Sequence, residues 1–131
     1  MIICAPSFWS EVSGEAAYAR LLARALREIV PAVRIYSLRP EKTAERCRMP
    51  LLRGPVIFSR APLWPRALAL RIKGVPVSFV LHGVEAWRRY PPLARWVFKG
   101  AVFLAVSRYT AERFLHLNRL SAPWHLLPPA L

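Results

Sequence analysis

Residues Val77 to Trp87 read VSFVLHGVEAW, an apolar run that ends in a histidine followed at once by a glycine. A short, continuously apolar run bounded by turn residues belongs to a strand covered on both faces, the kind found inside parallel sheets. An ionisable ring at the end of such a strand has little packing rationale. His82 and Gly83 are therefore read as lying at the carboxyl rim of an inner strand Pro76–Leu81, where ligands are met in open α/β sheets.

Outward from this strand the pattern alternates. On the C-terminal side, Pro91 and Pro92 lead a helix through Leu93, Trp96 and Val97, since proline suits a first helical turn. Ala101 to Val106 (AVFLAV) is a second uniformly apolar strand, and Ser107 is placed to cap a helix whose stripe is Ala111, Phe114 and Leu115. Trp124 to Leu127 closes the series as a short strand.

On the N-terminal side, Pro55 to Ser59 (PVIFS) makes a strand, and Leu63 to Ile72 a helix across Trp64, Ala67, Leu68 and Ile72 that Gly74 ends. Ile2 to Ala5 is the first strand. From Glu15 the period becomes helical through Tyr18, Leu21, Leu22, Ala25, Leu26 and Ile29, with Arg20, Arg24 and Arg27 on the other face and Pro31 as the stop. Val33 to Leu38 is the second strand. The charged, proline-interrupted stretch from Arg39 to Gly54 reads as a surface connection with one helical turn. The pattern predicts one α/β domain over 1–131: a Rossmann-like, doubly wound, mostly parallel sheet of about six strands with helices on both faces.

Composition narrows the function classes. Of 131 residues 55% are apolar, which excludes a disordered chain, and no run approaches the roughly 20 apolar residues of a membrane-spanning helix. The start MIICA has no basic lead or cleavage pattern, so a cytoplasmic protein is expected. Twenty Lys and Arg against seven acids give a net charge of +13, a field that attracts nucleic acid, anionic lipid headgroups or phosphorylated small molecules. Cys4 and Cys47 stand too far apart for a CxxC pair, and two cysteines cannot make a four-cysteine zinc site. Aspartate is absent, which removes any Asp-x-Asp metal motif and disfavours a paired-carboxylate hydrolase. Abundant Arg and Pro with almost no Asn or Gln point weakly to a thermophilic source.

Three features converge on the rim: the Ser13-Gly14 turn ahead of the first helix, His82-Gly83, and Ser107. Gly14 lets backbone approach a phosphate or sugar closely; the plainer reading is a simple cap followed by Glu15. The turn lacks the GxGxxG of a dinucleotide fold and the GKS or GKT of a P-loop, so neither NAD nor direct ATP binding is expected. The His82 imidazole is suited to donate to a phosphate or sugar oxygen or to act as a base, and the alternative is a ring satisfied by a neighbouring carbonyl. Glu85 and Trp87 follow in the same loop, most simply as a solvated acid and a half-buried aromatic. Ser107 is read as a cap ahead of any nucleophile role. His116 and His125 are not spaced for a metal site. Arg88-Arg89-Tyr90, and Arg66 beside Trp64, are candidates for a basic, aromatic surface facing lipid headgroups.

Three motifs in order carry a family resemblance. SGEAAYARLLARAL (13–26) resembles the Gly-Gly-x7-Leu-Ala-x-x-Leu segment that opens family 4 glycosyltransferases of the GT-B fold. VPVSFVLHGVEAW (75–87) is similar to their strand-to-His-Gly segment, and AVFLAVSRYTAERFL (101–115) to their Ala-Val-Ser-x-x-Thr segment. The terminal HLLPPAL stands where those enzymes read Ile-Pro-Asn-Gly. Ser13 replaces one of the paired glycines, and Pro129-Ala130 the Asn-Gly.

The likeness covers nearly the whole chain but only the N-terminal, acceptor-side half of those enzymes. It implies the acceptor-side subunit of a split glycosyltransferase, with His82 catalytic and Ser13, Gly14, Gly83, Glu85 and Ser107 at the substrates. It also implies no bound cofactor or metal, the nucleotide-sugar donor being held mainly by a separate donor-binding chain. A lipid-linked or polyanionic acceptor at an anionic membrane surface would suit the charge. The alternatives are a basic nucleic-acid-binding module and an inactive, truncated relic of such an enzyme.

Overall fold

Apolar runs and amphipathic segments alternate as strands and helices in the computed structural model, which describes residues 2–5, 14–30, 33–37, 45–46 and 54–127. The strands are β1 (Ile2–Ala5), β2 (Arg34–Ser37), β3 (Glu45–Arg46), β4 (Val56–Phe58), β5 (Val77–Leu81), β6 (Ala101–Ala105) and β7 (Trp124–Leu126). The helices are α1 (Gly14–Ile29), α2 (Trp64–Ile72), α3 (Pro92–Lys99) and α4 (Arg108–Leu117). They form one sheet of order β3-β2-β1-β4-β5-β6-β7 in which every neighbouring pair is parallel. This is the expected Rossmann-like α/β architecture, with seven strands instead of about six. The extra one is the two-residue β3, inside the stretch read as a surface connection. Ser13, Pro31 and Cys47 lie outside the described residues.

From β1 the chain steps outward through β2 and β3, then returns to lay β4 on the other side of β1. The order therefore reverses between β1 and β4, and the crevice beyond their carboxyl ends is where ligands bind in such sheets.

Alternate side chains serve the two faces, as a strand period of two requires. Val56, Phe58, Val77, Phe79, Leu81, Ala101, Phe103 and Ala105 point toward α2, α3 and α4, while Ile3, Ile57 and Val80 join Ala19, Leu22 and Ala23 of α1. Phe79 is the hub of the first face. Its ring stacks on Phe58 at 5.3 Å and Phe103 at 6.1 Å and meets Phe98 edge-on at 5.2 Å.

The helices turn their apolar residues somewhat differently from the sequence reading. In α3, Ala94, Val97 and Phe98 face the core, whereas Leu93 and Trp96 are 50% and 41% exposed. Ala94, Val97 and Phe98 form one i, i+3, i+4 stripe and Leu93 with Trp96 the adjacent one, and the sheet covers the former. Ile72 and Ile29, each the last residue of its helix, are exposed for want of a further turn to pack against. Among the described residues no helix is long and apolar enough to cross a membrane.

Candidate functional site

β5 delivers His82 to the rim directly beside the end of β4, because Phe58 pairs with Phe79 and both strands run the same way. The residue after β4 is Ser59, and its carbonyl oxygen lies 2.8 Å from His82 Nε2. A carbonyl only accepts, so Nε2 carries a proton and donates to it, and the tautomer with this bond has its lone pair on Nδ1. The neighbouring carbonyl thus orients the imidazole without burying it; the residue is partly exposed. Ser59 itself is 3% exposed, and its Oγ is buried with no hydrogen-bond partner among the described residues.

Against the other side of the ring stands Tyr18 of α1, edge-on with 4.9 Å between centroids and planes 88° apart. Gly14, the first residue of α1, precedes Tyr18 by one turn, about 6 Å along the helix axis. The helix start and the imidazole are thereby brought to the same end of the sheet. The Tyr18 hydroxyl donates to the carbonyl of Leu127 at 3.1 Å, tying α1 to the segment after β7. Burial raises the Tyr18 pKa above its usual 10.0, so the hydroxyl stays a donor.

The loop after β5 is held by two side chains. Glu85 Oε1 accepts the His82 backbone N–H at 2.9 Å, so this acid is a loop clamp where a solvated residue was expected. It sits in a single 3₁₀ turn, Val84–Ala86, closed by Ala86 N–H to Gly83 carbonyl at 2.8 Å. A Cβ at Gly83 would meet no atom of the described residues within 4 Å. The Tyr90 hydroxyl donates to the Glu85 carbonyl, and burial, the largest influence, raises the pKa of that phenol.

Sequence reasoning missed Asn118, the chain's single asparagine, which is 1% exposed. Its Oδ1 accepts from the Tyr90 N–H at 2.7 Å, while Nδ2 donates to the carbonyls of Arg88 at 3.0 Å and Phe114 at 2.9 Å. One amide thus fastens the far end of the His82 loop to the end of α4. A lone asparagine in a chain that otherwise avoids amides, at the close of a helical stripe, was the available signal.

Ser107, at the same rim beyond β6, is a cap as expected: Oγ accepts from Thr110 N–H at 3.1 Å and donates to Thr110 Oγ1 at 2.9 Å. That use of its hydroxyl leaves nothing resembling an activated nucleophile. Trp87 meets Tyr109 edge-on at 5.6 Å, and the Arg88 guanidinium lies 4.8 Å over the Tyr90 ring. His116 and His125 are exposed on α4 and β7. Among the described residues no three His, Cys, Asp or Glu side chains cluster as metal ligands would. The rim therefore joins His82, Gly83 and Glu85 in one loop, with α1 and its Gly14 start alongside through Tyr18. Comparison with protein-family models gives no match, and neither does a search of curated protein sequences.

Proposed function

We propose that this chain is the acceptor-side lobe of a GT-B type glycosyltransferase, working with a donor-binding lobe supplied from outside these 131 residues. The observation that carries the reading is the placement of His82: partly exposed at the rim, oriented by the Ser59 carbonyl, and packed on α1 one turn from its glycine start. In this reading the start of α1 at Gly14 meets donor phosphate, since helix N-termini present unpaired N–H groups and positive potential. The imidazole faces the transferred sugar, and Glu85 fixes the backbone that presents it. Transfer breaks the bond from the anomeric carbon to the nucleotide diphosphate and forms one to an acceptor hydroxyl oxygen, whose proton departs. The +13 charge suits a lipid-linked or polyanionic acceptor at the cytoplasmic face of a membrane.

The test is reconstitution. The protein is purified from its native source together with whatever donor-binding lobe accompanies it, and transfer from labelled nucleotide-sugars to a lipid extract is measured for the isolated chain and the pair. The expected result is transfer by the pair and negligible transfer by the chain alone. Efficient transfer by the chain alone would sink the reading.

A further inference from the structure

A cleft of ≈ 290 Å³ lies between α3 and the end of α4, lined by Pro92, Arg95, Trp96, Lys99, Asn118 and Arg119. Three of those six residues are cationic and none is acidic. Its volume falls just short of the roughly 300–1,000 Å³ of drug-sized ligand sites, room for a small polar group. We propose that this cleft binds the phosphate group of an anionic ligand.

Three further observations support it. First, Arg119 has φ 53°, the only described non-glycine residue in the left-handed region. It follows the end of α4, where the Leu120 N–H reaches back to the Leu115 carbonyl at 2.9 Å and the Arg119 N–H to His116 at 3.2 Å. Glycine is favoured at that position because a Cβ is strained there. An arginine at a strained position, lining a cleft, is what a binding role explains.

Second, a fourth cation is built in: Arg71 lies 5.2 Å from the Trp96 ring centroid, adding positive charge next to the cleft. Arg71 packs so closely on Gly100 that a Cβ there would come within 2.1 Å of its Nε. Third, Arg95, which lines the cleft, has no acceptor for its buried Nε among the described residues, so no described carboxylate neutralises it there. Leu93 and Trp96 stand exposed on the same helix, which would let an apolar tail continue from the bound phosphate.

The inference does not depend on the glycosyltransferase reading, since the cleft shares no residue with the His82 rim. Asn118 connects the two, lining the cleft while holding the loop that begins at His82.

The experiment titrates the full chain with inorganic phosphate, and separately with phosphatidylcholine vesicles with and without phosphatidate. Wild type is compared with the double variant Lys99→Ala/Arg119→Gly and with Arg24→Ala/Arg27→Ala, which removes the same charge from exposed positions of α1 on the opposite sheet face. Saturable binding is expected, weakened at least about tenfold in the first variant and no more than about twofold in the second. Arg119→Gly alone should not lower the melting temperature, because relief of the left-handed strain offsets the lost side chain. Vesicles with phosphatidate binding more tightly than inorganic phosphate would identify a lipid headgroup, and equal binding a soluble phosphate ester; both support the site. Absence of saturable binding in both arms, or equal weakening in the two double variants, would overturn it.

Discussion

Under α2, α3 and α4 the sheet is closed by Phe58, Phe79, Phe98, Phe103 and Phe114, fully buried and in ring contact, whereas under α1 it is closed by Ile3, Ala19, Leu22, Ala23, Ile57 and Val80. The aromatic face is continuous, and among its buried described rings the one polar ring is Tyr90 at its margin. Among the described residues the core of the other face is aliphatic, and at its carboxyl end two rings, Tyr18 and His82, remain partly exposed. The difference separates duties. Large side chains that bury most area carry stability on one face, and the other keeps polar groups near water.

The sharpest way to break this comparison is Phe79→Ala, which empties the hub of the aromatic face and should cost about 3–5 kcal/mol in denaturant unfolding. Next comes Asn118→Ala, at about 2–3 kcal/mol, because the N–H of Tyr90 is left buried without its acceptor and two further bonds are lost. Leu22→Ala, under α1, should cost about 2 kcal/mol, since its site lies near solvent and can relax. A Leu22→Ala cost equal to that of Phe79→Ala would erase the distinction between faces.

The smallest effect is Tyr90→Phe, about 1 kcal/mol near neutral pH through loss of the bond to the Glu85 carbonyl. Its alkaline behaviour sharpens the picture. Burial raises the Tyr90 pKa in the folded chain, so the neutral phenol stabilises the fold below pH 10.0 and that stability is lost as pH rises from there through the folded value. Urea unfolding across this range should show a shallower alkaline decline for Tyr90→Phe than for wild type.

Much of the fold was legible because strands covered on both faces are written as apolar runs: VSFVL and AVFLA appear as β5 and β6 with only their boundaries trimmed. β3 was not legible, since Glu45–Arg46 is too short to show alternation and is held by pairing with Tyr36 and Ser37. The outward turn of Leu93 and Trp96 escaped for a related reason: periodicity marks apolar positions without saying which of two adjacent stripes the sheet will cover. At the rim, the position of His82 and Gly83 was readable from the end of the apolar run, and the ring meets a neighbouring carbonyl, the alternative set beside a ligand role, while packing on Tyr18. The roles of Tyr18 and Asn118 were not readable, because each depends on partners brought close only by the fold, Leu127 in one case and Arg88 in the other, while the Glu85 clamp on the His82 N–H is local but falls in a turn that no periodicity marks.

Under the proposed function the His82 ring acts on a substrate while its Nε2–H holds it to Ser59. His82→Gln tests this most directly, because a side-chain amide can replace that donor to the carbonyl but not the imidazole's chemistry. Measured side by side on the reconstituted pair, the account predicts a melting temperature within about 2 °C of wild type and transfer about a hundredfold slower. Undiminished transfer by His82→Gln would contradict it, and so would a loss of activity that tracks a loss of folded protein.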